Sequence, residues 1–374
     1  MVKTYFDRKR NWGLGIRDWG LGKTLFTSPR IYAPKQKKNW LGRRKRNWRA
    51  ASLFKTSKFI SGLFPISNPQ SRKTGVPSVL PNPPVDPRNS ENNPANRMTL
   101  PLRNSRIKLP LGQVFWREVG QGPILIFLHG SWSESSQWLS VIEDLSQDYH
   151  CFALDLLGFG ESERPKLHQS IQLQVECLLQ YLEALNLPQV YLIGDSLGGW
   201  IAASYALKYL DQVSGLVLLE PEGVQTEGYW ANWQWAKWLV GRPSLGYGIL
   251  RSLLPIARLF GRHKAIEIAL QQRQQLENSP TACKILFQRR RAEIQAEFLQ
   301  EQLEGLEVPT LILQGKNDTP EAIARSQIYA DLTPQARLQM IDNGEHNLPE
   351  TLPNVVTQHI HDFVKRVEGW KVEG

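Results

Sequence analysis

Short apolar runs alternate with longer, partly polar stretches along the middle of this chain. Four of the runs have the composition of strands that are buried on both faces of a sheet: Ile124–Leu128, Cys151–Leu154, Val190–Ile193 and Val213–Leu219. Gln113–Val119 predicts an antiparallel edge strand. The stretches between the runs predict helices around residues 138–145, 170–185 and 200–206. Strands that alternate with helices predict a mostly parallel central sheet with helices on both faces, which is the α/β class.

The alternation stops after residue 222. Residues 223–305 contain no clear strand but carry closely spaced aromatic residues, followed by helical runs at Ile249–Leu259 and Ala292–Leu303. Strand patterns return at Thr310–Gln314 and Arg337–Ile341, and a last helix is predicted from about Leu352 to Val367. We therefore predict a core in two parts, 106–222 and 306–374, interrupted by a helical cap over 223–305.

Residues 1–105 lack hydrophobic periodicity and are predicted to be a disordered, basic, low-complexity extension. Residues 1–97 hold 21 Lys and Arg against 4 acidic residues, whereas the remainder has a net charge of −7. Interleaved Lys, Arg and Trp are also compatible with contact to nucleic acid or a membrane surface by residues 1–97, or with organelle targeting. A third hypothesis is that the segment is not native and that the true start is Met98.

The composition limits the classes of protein to which this chain can belong. No apolar run approaches the roughly 20 residues that a membrane-spanning helix needs. The first residues lack the apolar segment of a secretory signal. The 3 cysteines have no paired or metal-type spacing, which suits reduced thiols and a cytoplasmic location.

One turn gives the strongest indication of a catalytic residue in this sequence. The run Val190–Ile193 leads into Gly194-Asp195-Ser196-Leu197-Gly198, and an alanine-rich helix follows. In a G-x-S-x-G turn the serine has a strained backbone, and side chains two residues away on either side would collide with it. Gly194 and Gly198 remove those side chains, so Ser196 is predicted to be a nucleophile.

Motifs in a fixed order make residues 107–368 resemble the α/β-hydrolase fold superfamily, in its branch of serine hydrolases with a helical cap. The motifs follow successive predicted strands: His129-Gly130, then Asp155 with Gly158–Ser162, then Gly194–Gly198, then Gly315–Asp318, then Gly344-Glu345-His346. This resemblance implies a helical cap after the sixth strand and the chain order Ser, Asp, His for the triad.

The resemblance assigns His346 as the base that activates Ser196 and Asp318 as the acid that orients His346. Glu220 or Glu222, just after the sixth strand, is a rival for the acid, because some branches use that position. Asp195 is not expected to be the nucleophile, since Ile193 and Leu197 would lie at the two positions that the turn keeps small.

The resemblance also implies an oxyanion hole formed by the backbone N–H groups of Leu197 and Ser131. Four residues are expected to be structural at the site: His129, Gly130, Gly194 and Gly198.

The expected activity is hydrolysis of an ester or related acyl bond of a small to medium apolar substrate, without a metal or organic cofactor. Two alternatives stay open at this point. One is a non-catalytic, ligand-binding member of the fold, and the other is an acyltransferase or perhydrolase that uses the same triad.

Overall fold

The computed structural model describes residues 101–240, 245–259 and 263–373. The predictions for residues 1–97, including their contact with nucleic acid or membrane and the alternative start at Met98, lie outside the described residues. The strands are β1 (Arg103–Leu109), β2 (Gly112–Val119), β3 (Ile124–Leu128), β4 (His150–Leu154), β5 (Val190–Asp195), β6 (Val213–Leu219), β7 (Thr310–Gly315) and β8 (Ala336–Ile341).

Helices separate most of the strands. They are α1 (Leu139–Leu145), α2 (Ile171–Ala184), α3 (Leu197–Lys208), α4 (Tyr229–Val240), α5 (Leu245–Leu259), α6 (Lys264–Asn278), α7 (Pro280–Leu286), α8 (Arg291–Ala296), α9 (Pro320–Leu332), α10 (Leu348–Thr351) and α11 (Pro353–Glu373). Among the described residues, no helix is long and apolar enough to span a bilayer.

The eight strands form one sheet in the order β1-β2-β4-β3-β5-β6-β7-β8. β1 and β2, and β2 and β4, pair antiparallel, while β3 onward pairs in parallel. The predicted fold class is therefore confirmed. The order brings β5, β6, β7 and β8 side by side, so the loops at their carboxyl ends meet at one edge of the sheet.

The first strand corrects the predicted boundary of the extension. β1 begins at Arg103, inside the range 1–105, and it is the edge strand in place of the predicted edge strand around 113–119. Its pattern escaped detection because only Leu109 of its seven residues is buried. The strand exists through pairing with β2, across the register that joins Leu109 to Gly112.

Two hydrophobic clusters cover the two faces of the sheet, as the alternation of side chains along a strand requires. Ile126 and Leu128 of β3 point into the cluster that contains residues of α2 and α3. Leu125 and Phe127 point into the cluster on the other face, with residues of α1 and α11. The sheet is thus held between helices on both sides, which gives the loops at its edge a rigid support.

Among the described residues, the α-helices α4–α8 follow β6 and precede β7. The predicted helical run 249–259 lies in α5, whereas the run predicted over 292–303 ends at Ala296. There the backbone carbonyl of Glu297 accepts a hydrogen bond from Trp200 Nε1 of α3, at 3.0 Å. Phe298 also stacks on the Trp200 ring, so this part of the chain follows the core surface rather than a helical path.

Candidate active site

Ser196 lies in a sharp turn between β5 and α3. Its φ of 51° and ψ of −108° lie in a region that side-chain-bearing residues rarely adopt. A Cβ on Gly194 would lie 2.4 Å from the carbonyl oxygen of Gly198, and a Cβ on Gly198 would lie 2.3 Å from that of Leu128. Both positions therefore require glycine, which is the steric basis of the G-x-S-x-G spacing.

Asp318 and His346 come from the loops after β7 and β8 and meet in space. His346 Nδ1 donates to Asp318 Oδ2 at 2.9 Å. Asp318 also accepts hydrogen bonds from the Thr319 backbone N–H at 2.6 Å and from Gln314 Nε2 at 3.1 Å. These donors fix the orientation of the carboxylate, and the carboxylate in turn selects the imidazole tautomer with its proton on Nδ1.

Glu220, at the end of β6, is a second carboxylate on the same imidazole nitrogen. Its Oε2 lies 3.2 Å from His346 Nδ1. Its side chain also accepts from the backbone N–H groups of Gly315, at 3.3 Å, and Asn347, at 2.9 Å. The structure thus brings together both the expected acid and one of its rivals.

The charges around His346 favour its protonated form. Burial by itself lowers the pKa of His346, but the hydrogen bond to Asp318 and the nearby charges of Glu220, Asp318 and Asp195 raise it to about 9. Burial works against ionisation of Asp318 too, yet its hydrogen bonds and the His346 charge hold its pKa below the ordinary value. Burial raises the pKa of Glu220, and the charge of Asp318 acts in the same direction.

Glu222, the other rival acid, lines a cavity together with Ser196 and His346. Burial raises the pKa of Glu222, while the charges of Arg325 and His346 oppose that rise. Among the hydrogen bonds of the described residues, none joins Ser196 Oγ to His346. Both residues line the same two cavities, and in unliganded enzymes the bond between nucleophile and base is often long until substrate binds.

The two expected oxyanion donors lie beside Ser196. Leu197 is the first residue of α3, where backbone N–H groups have no partner within the helix. Ser131 follows the His129-Gly130 pair at the end of β3 and lines the larger cavity. Within the described part of the chain neither backbone N–H donates to a protein acceptor, so both are available to a developing negative charge.

His129 holds the loop that carries Ser131. Its Nδ1 donates to the Gly130 carbonyl at 2.8 Å, and its Nε2 accepts from the Leu156 backbone N–H at 3.1 Å. Burial lowers the pKa of His129, so the neutral ring that this pairing requires is favoured. Gly130 is also confined, because a Cβ there would lie 2.6 Å from Asp195 Oδ2.

Sequence reasoning missed the polar network beneath this loop. Gln137 Nε2 donates to Asp195 Oδ2 at 2.8 Å and to Asn347 Oδ1 at 2.9 Å, which links the oxyanion loop to the residue after His346. Burial raises the pKa of Asp195 to about 6. No local pattern identifies Gln137, since its partners lie 58 and 210 residues away in the chain.

Two cavities flank Ser196 and His346, and Trp132 lines both of them. The larger has a volume of about 620 Å³ and a wall of mixed polar and apolar groups, which includes Glu134, Arg164, Asn278 and Glu350. The smaller, of about 70 Å³, has an aromatic wall from the core and the helical segment, formed by Trp200, Tyr229, Trp233 and Phe287.

Three ligand-type groups lie close enough together to be considered for a metal: Glu220, Asp318 and His346, whose donor atoms lie within 4.8 Å of one another. Each carboxylate already accepts backbone N–H groups, and His346 Nδ1 faces both of them. These contacts are those of two carboxylates that are hydrogen-bonded within the protein and face a base.

Residues 123–351 match the model of the alpha/beta hydrolase fold family. The chain belongs to this family. A 114-residue stretch, 29% of this chain, is 40% identical to the 1-acylglycerol-3-phosphate O-acyltransferase ABHD5 of Mus musculus. The match spans about a third of that protein's length, 32%. The monoacylglycerol lipase ABHD6 of Homo sapiens is 26% identical over 259 residues, which are 66% of this chain and 77% of the lipase.

Solved structures are similar as well. A thermophilic esterase from Thermogutta terrifontis aligns with a TM-score of 0.55 and 23% identity over 71% of this chain and 99% of the esterase. At that identity the likeness concerns the fold alone. The predicted membership of the α/β-hydrolase superfamily is therefore confirmed, while the substrate has to be inferred from the site.

Proposed function

We propose that this protein is a serine hydrolase that cleaves an ester, or a related acyl bond, of a small to medium apolar substrate. The observation that carries this proposal is the convergence of three loops at one sheet edge. Ser196 follows β5, and the hydrogen-bonded pair of Asp318 and His346 follows β7 and β8. Nucleophile and base line the same cavities, as an acyl-transfer site requires.

The proposed reaction has two halves. Ser196 Oγ attacks the substrate carbonyl carbon while His346 Nε2 takes the hydroxyl proton, and the Leu197 and Ser131 N–H groups bind the oxyanion. The imidazolium then gives its proton to the leaving alcohol, which departs and leaves an acyl group on Ser196. Water, deprotonated by His346, attacks the acyl-enzyme and releases the acid. Asp318 keeps the tautomer and stabilises the cation throughout.

The aromatic cavity supports an apolar acyl group. Trp200, Tyr229 and Trp233 offer apolar contact area beside the nucleophile. The larger cavity, with Glu134, Arg164 and Asn278 in its wall, suits the alcohol portion of an ester. Monoacylglycerol lipase, the name carried by one relative, describes a substrate of this kind, with an apolar chain and a polar alcohol.

An acyltransferase is the second candidate, favoured by the name of the mouse relative. It would use the same acyl-enzyme, with an alcohol in place of water in the second half. The larger cavity, of about 620 Å³, leaves room for such an acceptor. Raising the glycerol concentration during turnover separates the two reactions, because a transferase forms acylglycerol at the expense of free acid.

Replacement of the nucleophile tests the function itself. We expect Ser196→Ala to reduce kcat on p-nitrophenyl butyrate by at least about 10³-fold, because no other group can form the acyl-enzyme. A fluorophosphonate probe should label the natural chain and leave the variant unlabelled. Retained esterase activity in Ser196→Ala would disprove the nucleophile, and a natural chain that resists the probe and lacks turnover would favour the non-catalytic, ligand-binding alternative.

A further inference from the structure

Glu220 combines a buried acidic side chain with an unfavourable backbone conformation. Its side chain is fully buried, with 0% of its surface exposed. Its φ is +48°, in the left-handed region that a residue with a side chain enters at an energetic cost. A strained backbone and a buried acid both destabilise the fold, so the contacts of the carboxyl group must offset them.

Those contacts connect three adjacent strand ends. Oε1 accepts from the Gly315 N–H at the end of β7, and Oε2 accepts from the Asn347 N–H, beside His346 in the loop after β8. Oε2 also lies 3.2 Å from His346 Nδ1, only slightly farther than Asp318 Oδ2 at 2.9 Å. The Glu220 side chain therefore anchors the backbone next to His346 and faces the proton that the imidazole shares with Asp318.

One carboxylate is sufficient to orient a catalytic histidine. A second one on the same nitrogen adds negative charge when it is ionised, without adding a proton acceptor on the substrate side. Burial opposes that ionisation, and the charge of the His346 imidazolium favours it by lowering the pKa of Glu220. The acidic groups that face His346 come from all the neighbouring strand ends: Asp195, Glu220, Glu222 and Asp318. Arg325 of α9 lines the smaller cavity together with Glu222, and its charge lowers the pKa of Glu222.

We propose that Glu220 is a positioning residue that anchors the His346 loop and, through its negative charge, holds the proton on His346, so that the enzyme works best in alkaline solution. This inference rests on the proposed function for its kinetic consequence. The base must be neutral to accept the serine proton. Negative charge at Nδ1 stabilises the imidazolium, which delays formation of the neutral base to higher pH.

Replacement of Glu220 by a neutral side chain of the same shape tests this role. Glu220→Gln keeps an oxygen for the Asn347 N–H but has no negative charge. We expect the pH at half-maximal kcat/KM to fall by about one unit, the lower end of the effect of a contacting opposite charge. The limiting rate at high pH should fall by less than about tenfold, because Asp318 still orients the imidazole.

Glu222→Gln is the matched comparison. It removes an acidic group two residues farther along the chain, and among the ion pairs of the described residues none joins Glu222 to Nδ1. Its midpoint should move less than that of Glu220→Gln. Glu220→Asp supplies the conservative variant and should retain most of the alkaline midpoint. It also keeps the test decisive if the glutamine variant fails to fold.

A direct titration separates this inference from the proposed function. The imidazole of His346 can be followed by NMR in ¹⁵N-histidine-labelled Ser196→Ala protein, with and without Glu220→Gln, and identified by its loss in His346→Gln. An unmoved His346 titration in the double variant would overturn the role of Glu220 even if Ser196 proves essential. A loss of limiting rate as large as that of Asp318→Asn would overturn it too, because Glu220 would then be the triad acid. A shifted titration with retained activity in Ser196→Ala would reject the proposed function alone.

Discussion

The sheet and helix α5 of the helical segment place the same apolar residue types in opposite surroundings. Ile126 and Leu128 of β3 have no exposed surface, and all six residues of β5 are buried. In α5, by contrast, Ile249 is 50% exposed and Ile256 is 53% exposed. The loops that carry the proposed catalytic groups extend from the tightly packed region.

This difference suggests a division of roles. Groups that must be aligned within a few tenths of an ångström need a rigid support, and a close-packed sheet provides it. The helical segment supplies Tyr229, Trp233 and Phe287 to the smaller cavity, where shape matters more than atomic alignment. We therefore expect substitutions in the sheet loops to act on kcat and those in the helical segment to act mainly on substrate preference.

The largest contrast should come from Asp318→Asn. An amide in place of the carboxylate cannot stabilise the imidazolium and favours the wrong tautomer, so kcat should fall by roughly 10³- to 10⁴-fold. Steady-state kinetics on p-nitrophenyl butyrate measure the loss. Ile256→Ser, at an exposed position of α5, is the control and should keep the kcat of the natural chain. A nearly unchanged rate in Asp318→Asn would assign the acid to Glu220 instead.

A matched pair of isoleucines tests the difference in packing. Ile126→Ala leaves a cavity in the fully buried core and should lower the free energy of unfolding by about 2–5 kcal/mol. Ile249→Ala removes the same atoms from a half-exposed site and should change it by less than about 0.5 kcal/mol. Urea unfolding followed by circular dichroism measures both. Equal losses would mean that the exposed face of α5 is covered in solution.

The smallest effect should be a gain in stability at a helical glycine. Gly248 lies in α5, and a Cβ added there would meet no atom within 4 Å. Gly248→Ala should therefore raise the free energy of unfolding by about 0.5–1 kcal/mol, through helix propensity and a less flexible unfolded chain. Gly198→Ala is the opposite case, because its Cβ would collide with a backbone carbonyl. Thermal unfolding of the pair tests the sign, and a destabilised Gly248→Ala would contradict it.

Local sequence patterns were sufficient to predict much of the fold. Ser170 illustrates this, because the helix predicted from about residue 170 begins as α2 with the Ser170 side chain accepting from the Leu173 N–H. β1 shows the limit of such reasoning. Its residues are mostly polar and exposed, with Ile107 and Leu109 as its only apolar side chains, and it forms because β2 offers an edge to pair with. A strand that is stable only when it pairs with another strand cannot be predicted from its own residues.

The sequence by itself determined the turn around Ser196. Gly194 and Gly198, the buried strand before them and the helix after them are all local, and each follows from sterics and hydrophobic burial. The order Ser196, Asp318, His346 was also readable, because a resemblance in motif order needs no coordinates.

Only the tertiary structure decided what surrounds the base. Glu220, Asp318 and His346 lie far apart in the chain and meet because β6, β7 and β8 are neighbours in the sheet. The sequence left Glu220 and Asp318 as competing candidates for one position. The fold brings both carboxylates to Nδ1, at 3.2 and 2.9 Å, because parallel strands present all their carboxyl ends at one edge.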